Sequence, residues 1–221
     1  MERKEKPILF FTTTQRFVHW LHVVAFILLL VTGMVLYVPQ LHPFAVGSAG
    51  QASRLLHRIG VILLAAVPLI YIVFDPRQFA RSMKEIFTWS SDDLGWLKAA
   101  PAYYFLGDEK AMPPQGKFNT GQKLFYLTVV VALVVFGVTG FVMWFGKGVV
   151  PVGLFQWSVF LHDLAAIATA AFFLVHFMLS VMHPLMKGSL ESMLFGWISE
   201  EYVKSHHRKW YEEVMRSKES E

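Results

Sequence analysis

The sequence predicts an all-α integral membrane protein, a four-helix bundle with cytoplasmic N- and C-termini. Three observations predict it. The composition is 55% hydrophobic and only 16% charged, whereas a soluble domain carries about a quarter charged residues. Four apolar runs reach the roughly 20 residues a bilayer requires. The 20 lysines and arginines fall mostly in alternate connections between those runs, as the positive-inside rule expects of a multi-pass chain.

The spans are expected at about residues 17–37, 55–74, 124–145 and 157–182 of the chain. Residues 1–16 then form a cytoplasmic arm, 17–186 the membrane domain and 187–221 a cytoplasmic tail. Arg3, Lys4, Lys6 and Arg16 lie in the arm; Arg77, Arg81, Lys84, Lys98, Lys110, Lys117 and Lys123 in or beside the long middle connection; Lys187, Lys204, Arg208, Lys209, Arg216 and Lys218 in the tail. The other two loops hold only Arg54 and Lys147. Met1 to Arg16 is polar and the first apolar run is long enough to span, so no cleavable leader is expected. The location is a bacterial or archaeal cytoplasmic membrane, with lipid rather than nucleic acid as the surrounding partner.

The connections read less simply. Arg77–Trp96 has apolar residues at helical spacing among charges, which suits a helix lying on the membrane surface. The tail, with Trp197, Tyr202, Trp210 and Tyr211 among charges, suits either a solvated amphipathic helix or a docking surface for a soluble subunit. No internal repeat and no phosphate-binding glycine loop stand out.

The chain has no cysteine, which excludes disulfides, iron–sulfur clusters, cysteine–zinc sites and thiol nucleophiles. A redox cofactor must use other ligands, and nine histidines are present. Ionisable residues inside spans are functional by default, and the fourth span holds His162, Asp163 and His176. His162 and His176 are 14 residues apart, which on an α-helix is about 21 Å along the axis and within about 40° of one face. A single metal ion wants ligands one turn apart; two stacked haems want this longer spacing. Each haem iron takes one imidazole from each of two helices. Depth then pairs His57 with His162 at the outer haem and His19 with His176 at the inner one. His22, one turn from His19, is the rival inner ligand. His183 is read as interfacial, with contact to a haem propionate or a quinone as the lesser alternative; His42, His206 and His207 lie outside the spans and are expected to be solvated. Gly33, Gly137 and Gly140 would admit a flat macrocycle or close helix packing, and Arg16 and Arg58 are natural counter-ions for propionates.

Over most of its length the chain resembles the gamma subunit, the dihaem cytochrome b subunit, of membrane-bound respiratory formate dehydrogenases. The resemblance rests on "RFVHW" opening the first span, "RLLH" opening the second, "GKFNTGQK" before the third, "LHDLAAIATAAFFLVH" in the fourth, then "KGS" and "HHRKWYEE". It implies two b-type haems and an electron path from an iron–sulfur subunit, served by a molybdenum- or tungsten-pterin catalytic subunit, to menaquinone on the cytoplasmic side. Asn119, Gly121 and Gln122 would then line the quinone site beside His176, although "NTGQ" also reads as the cap of the third helix. The chain departs from the family in His22, in His183, in a longer stretch between His176 and "KGS", and in an insertion around Trp89–Pro114. Cytochrome b subunits of nickel–iron hydrogenase or thiosulfate reductase share the same logic. A haem-free transporter with a histidine relay is the alternative from another class.

Overall fold

The computed structural model describes residues 7–108 and 112–219. Arg3, Lys4, Lys6 and Lys110, counted above for orientation, lie outside the described residues. Among the described residues, four helices are long and apolar enough to cross a membrane: α1 (Thr13–Tyr37), α2 (Gly47–Phe74), α5 (Thr120–Phe145) and α6 (Val152–Phe177), the last running on through a single π-helical turn to Met182. Each starts earlier than hydropathy places it. At α1 and α5 the extra residues are polar first turns held by caps, at α2 they are small or polar, and at α6 they include Val152, Leu154 and Phe155. Thr12 and Gln15 close a reciprocal capping box at α1. Gln15 also donates to the Tyr71 hydroxyl at 2.8 Å and Thr12 to Asp75 at 2.7 Å. These bonds tie the start of α1 to the end of α2, as an antiparallel pair requires.

The chain divides into two compact units. The first comprises Thr12–Phe79 and Ala132–Leu174, and its four helices touch in turn. α1 packs along α2; Arg58 of α2 lies 5.1 Å over the Trp144 ring of α5. Phe136 of α5 meets His162 of α6, and Phe173 of α6 meets Phe26 of α1.

Of the described residues, the second unit comprises those up to Phe11, those within Ala80–Val131 and those from Val175 on. The middle connection is two helices, α3 (Pro76–Phe87) and α4 (Ser91–Leu106), not one surface helix. Ser90 breaks it because its backbone N–H and hydroxyl both bond Asp93, which starts a new helix. The tail forms α7 (Lys187–Phe195), α8 (Glu200–His206) and α9 (Arg208–Glu219). A two-residue strand, β1 (Ile8–Leu9), pairs antiparallel with β2 (Trp197–Ile198). Around that pair Ile8, Phe10, Ile198 and Val203 make a small buried core, with Tyr202, Trp210 and Tyr211 against it. The tail is therefore folded onto the N-terminal arm rather than solvated. His207 corrects the expectation most sharply: it is 1% exposed, because Phe10 and Tyr202 pack on its ring and its Nδ1 donates to the Gly116 carbonyl at 2.9 Å.

Candidate functional site

His57 and His162 both lie in the four-helix unit, at equal distances from the starts of their helices (residues 47 to 57 and 152 to 162). At 1.5 Å per residue that is about 15 Å of depth for each. Their ring centroids are 6.5 Å apart with an interplanar angle of 50°. Each imidazole is held at Nδ1 by a threonine: Thr32 Oγ1 at 2.8 Å from His57 and Thr139 Oγ1 at 2.9 Å from His162.

The bonding decides the tautomer. A hydroxyl has one proton to donate. Thr32 donates to the Leu28 carbonyl at 2.7 Å, and Thr139 to the Val135 carbonyl at 2.6 Å. Both oxygens therefore accept from Nδ1–H, and both Nε2 atoms carry free lone pairs. This is the arrangement that prepares a histidine to bind a metal, with the second nitrogen fixing ring orientation.

Beside each threonine sits a glycine that leaves the helix surface bare next to the ring. A Cβ on Gly33 would meet nothing nearer than His57 Cε1 at 3.9 Å, and one on Gly140 nothing nearer than His162 Cε1 at 3.6 Å. A Cβ on Gly137 would meet nothing within 4 Å. The two helices carry the same word, "VTG", at 31–33 and 138–140. That repeat was the available signal for Thr32 and Thr139, which sequence reasoning passed over.

Among the described residues no cluster of three or more His, Asp or Glu is placed to hold a metal ion. Two imidazoles alone do not complete a protein zinc site, which takes three or four ligands. A haem brings its own four nitrogens and needs only the two axial ones. Imidazole nitrogens bond such metals at about 2 Å, which sets two opposed rings roughly 6 Å apart between centroids. The observed 6.5 Å fits a single planar metal complex between His57 and His162.

The other candidates are distributed differently. His19 belongs to the first unit and lies edge-on to Trp20; His22 stacks on Phe26. His176 belongs to the second unit, where its ring lies flat on Phe125 at 4.4 Å and its Nδ1 is 3.3 Å from Ser180 Oγ. Ser180 sits in the π turn Met178–Met182, a deformation common at functional sites. His183 follows it. Its Nε2 donates to the Tyr104 carbonyl at 3.1 Å, and its Nδ1 is buried with no hydrogen-bond partner. His42 is exposed, as expected. Arg16 Nη2 reaches Thr13 Oγ1 at 3.4 Å.

Asn119 and Gln122 cap α5 reciprocally. Asn119 Oδ1 accepts from the Gln122 N–H, and Gln122 Oε1 from the Asn119 N–H, each at 2.9 Å. Gly121 is required between them, because a Cβ there would come 2.7 Å from the Trp96 ring. A polar network underlies this turn. Lys123 bonds Asp93 at 3.0 Å and the Thr88 carbonyl at 3.1 Å, and Thr120 donates to Asp93 at 2.9 Å. Burial pushes the Asp93 carboxyl up, but Lys123, the Ser90 N–H and Thr120 outweigh it and hold the group below the usual carboxylate value.

The model of the family described as prokaryotic cytochrome b561 matches residues 11–196. The formate dehydrogenase cytochrome b556 subunit of Haemophilus influenzae is 25% identical over 93% of this chain and 83% of its own length. Two subunits of Escherichia coli K12 match 99% of this chain and 98% of their own lengths. They are the formate dehydrogenase cytochrome b556(fdo) subunit, at 25% identity, and the nitrate-inducible cytochrome b556(Fdn) subunit, at 26%.

Proposed function

The chain belongs to the prokaryotic cytochrome b561 family, and on that premise we propose that it is the membrane electron-transfer subunit of a formate dehydrogenase complex. In this reading it takes electrons from an iron–sulfur partner and delivers them to menaquinone on the cytoplasmic side. The observation that carries the reading is the His57–His162 pair, two imidazoles 6.5 Å apart with both Nδ1 atoms engaged. Nearly full-length similarity to formate dehydrogenase cytochrome subunits supports the choice of complex.

A b-type haem held by His57 and His162 supplies reversible one-electron transfer. The chain's own work is to orient the two rings through Thr32 and Thr139 and to bare the helix surfaces at Gly33 and Gly140. A second haem is assigned to His19 and His176. The support is again depth: His19 stands as far inside the start of α1 as His176 stands before the end of the fourth span (residues 13 to 19 and 176 to 182). Arg58 and Arg16 are assigned to haem propionates, and Asn119, Gly121 and Gln122 to the quinone. The cap formed by Asn119 and Gln122 leaves both side-chain NH₂ groups outside their mutual bonds, and an amide NH₂ is a suitable donor to a quinone carbonyl.

The test is haem content and spectrum in the purified complex. Two haems b per chain are expected, with His162→Ala losing one and His176→Ala losing the other along with quinone reduction. Absence of a b-type alpha band in the wild type, or retention of both haems in both variants, would sink the assignment.

A further inference from the structure

The second unit contains a cavity of about 30 Å³, enough to hold a water molecule, which needs roughly 10–15 Å³ on that measure. Its walls include Asn119, Tyr103, Tyr104, Tyr202 and His206. Asn119 is among the residues assigned above to the quinone. The same lining includes His206, whose Nδ1 lies 2.7 Å from the hydroxyl of the exposed Ser205.

Reducing a quinone to its quinol turns two carbonyl oxygens into hydroxyls. Two electrons come from the donating partner subunit, and two protons must come from water on the side where the quinone sits. Resting on the quinone reading, we propose that this cavity is the proton-entry route, with His206 as the group that collects protons at its mouth and passes them inward.

The surroundings single out His206. Tyr202, on its own helix, stacks on its ring at 4.0 Å and 4°. Tyr103 of α4 meets it edge-on at 6.1 Å. Burial pushes the Tyr104 hydroxyl up to about 12 and raises that of Tyr202. Burial likewise pushes the neighbouring His207 down to about 4, with its Gly116 bond opposing and His206 and Lys117 adding to the effect. Those three groups keep one protonation state through the neutral range. Of the two imidazoles in this lining, His206 is the one joined to an exposed hydroxyl, that of Ser205.

The experiment uses the purified complex with His206→Phe and His206→Gln. Formate-driven haem reduction and menaquinone-analogue reduction are followed separately across pH, with and without added imidazole. We expect haem content and haem reduction to be unchanged in both variants. Quinone turnover should fall roughly tenfold or more, within the range usual for a lost proton donor, and imidazole should restore most of it. Turnover of His206→Gln within about twofold of wild type overturns the proposal, as does a deficit that imidazole leaves untouched. A wild-type complex that reduces its haems but no quinone overturns the quinone reading itself, a distinct outcome.

Discussion

Thr32 and Thr139 each make two bonds with one oxygen, and the second of these decides how a histidine stands. Thr139 donates to Val135 O and accepts from His162 Nδ1. Valine keeps the shape and removes both. The buried Nδ1–H then lacks an acceptor, at a cost of about 1–3 kcal/mol, and loss of such an outer partner typically weakens metal binding about 10–100-fold. Thr139→Val and Thr32→Val are each expected to lose or loosen the same haem, while Thr139→Ser keeps it. The measurement is haem per polypeptide together with a redox titration. Two haems with unchanged potentials in both valine variants would remove the threonines from the site.

At the scale of elements, the start of α5 and the docking of α8 and α9 carry the second unit. Lys123 and Asp93 are 11% and 4% exposed at the side chain, so removing one partner strands a buried charge, at about 3–5 kcal/mol. Lys123→Met should therefore destabilise the unit more than Lys123→Met combined with Asp93→Leu; a thermal melt of the solubilised protein reads the order, and the reverse order refutes it. His207 sets an acid limit. Its value falls from 6.5 to about 4 on burial, so the unfolded segment binds more protons between those values and stability drops as pH falls through that window. The loss amounts to roughly 3 kcal/mol at the acid end. Hydrogen exchange of α8 and α9 should quicken from pH 6.5 to 4 in the wild type and much less in His207→Leu; equal acceleration in both would show that another group controls the opening. The four spans were legible in the sequence, and so was the closeness of His57 to His162, because hydropathy and depth are local readings along each helix. The helix starts were not, since "TTQR" and "TGQK" are polar and become helical through caps. Nor were Thr32 and Thr139, because a threonine bonding its own helix is unremarkable until a partner ring is seen beside it. His207 was misread as solvated because its burial depends on Phe10, far away along the chain.

At the scale of the whole chain, the open question is direction in the membrane. The basic residues fall in the arm, the middle connection and the tail, leaving only Arg54, Arg58 and Lys147 toward the other ends of the spans. Near span ends such a bias governs insertion, so both termini and α3–α4 should face the cytoplasm. Because the chain has no cysteine, it can be probed without any background-removing substitutions. Ser48, Ser91 and Ser217 are all exposed. They lie respectively at the start of α2, at the start of α4 and near the end of α9. Single replacements Ser48→Cys, Ser91→Cys and Ser217→Cys can be treated in intact cells, with the outer membrane permeabilised where there is one, using a membrane-impermeant maleimide. Ser48→Cys should label from outside, and the other two only after lysis. The proposed quinone and its proton route then draw on cytoplasmic water, so that formate oxidation outside would move charge across the membrane. Labelling of Ser217→Cys in intact cells would invert the chain and place the proton supply of His206 on the opposite side.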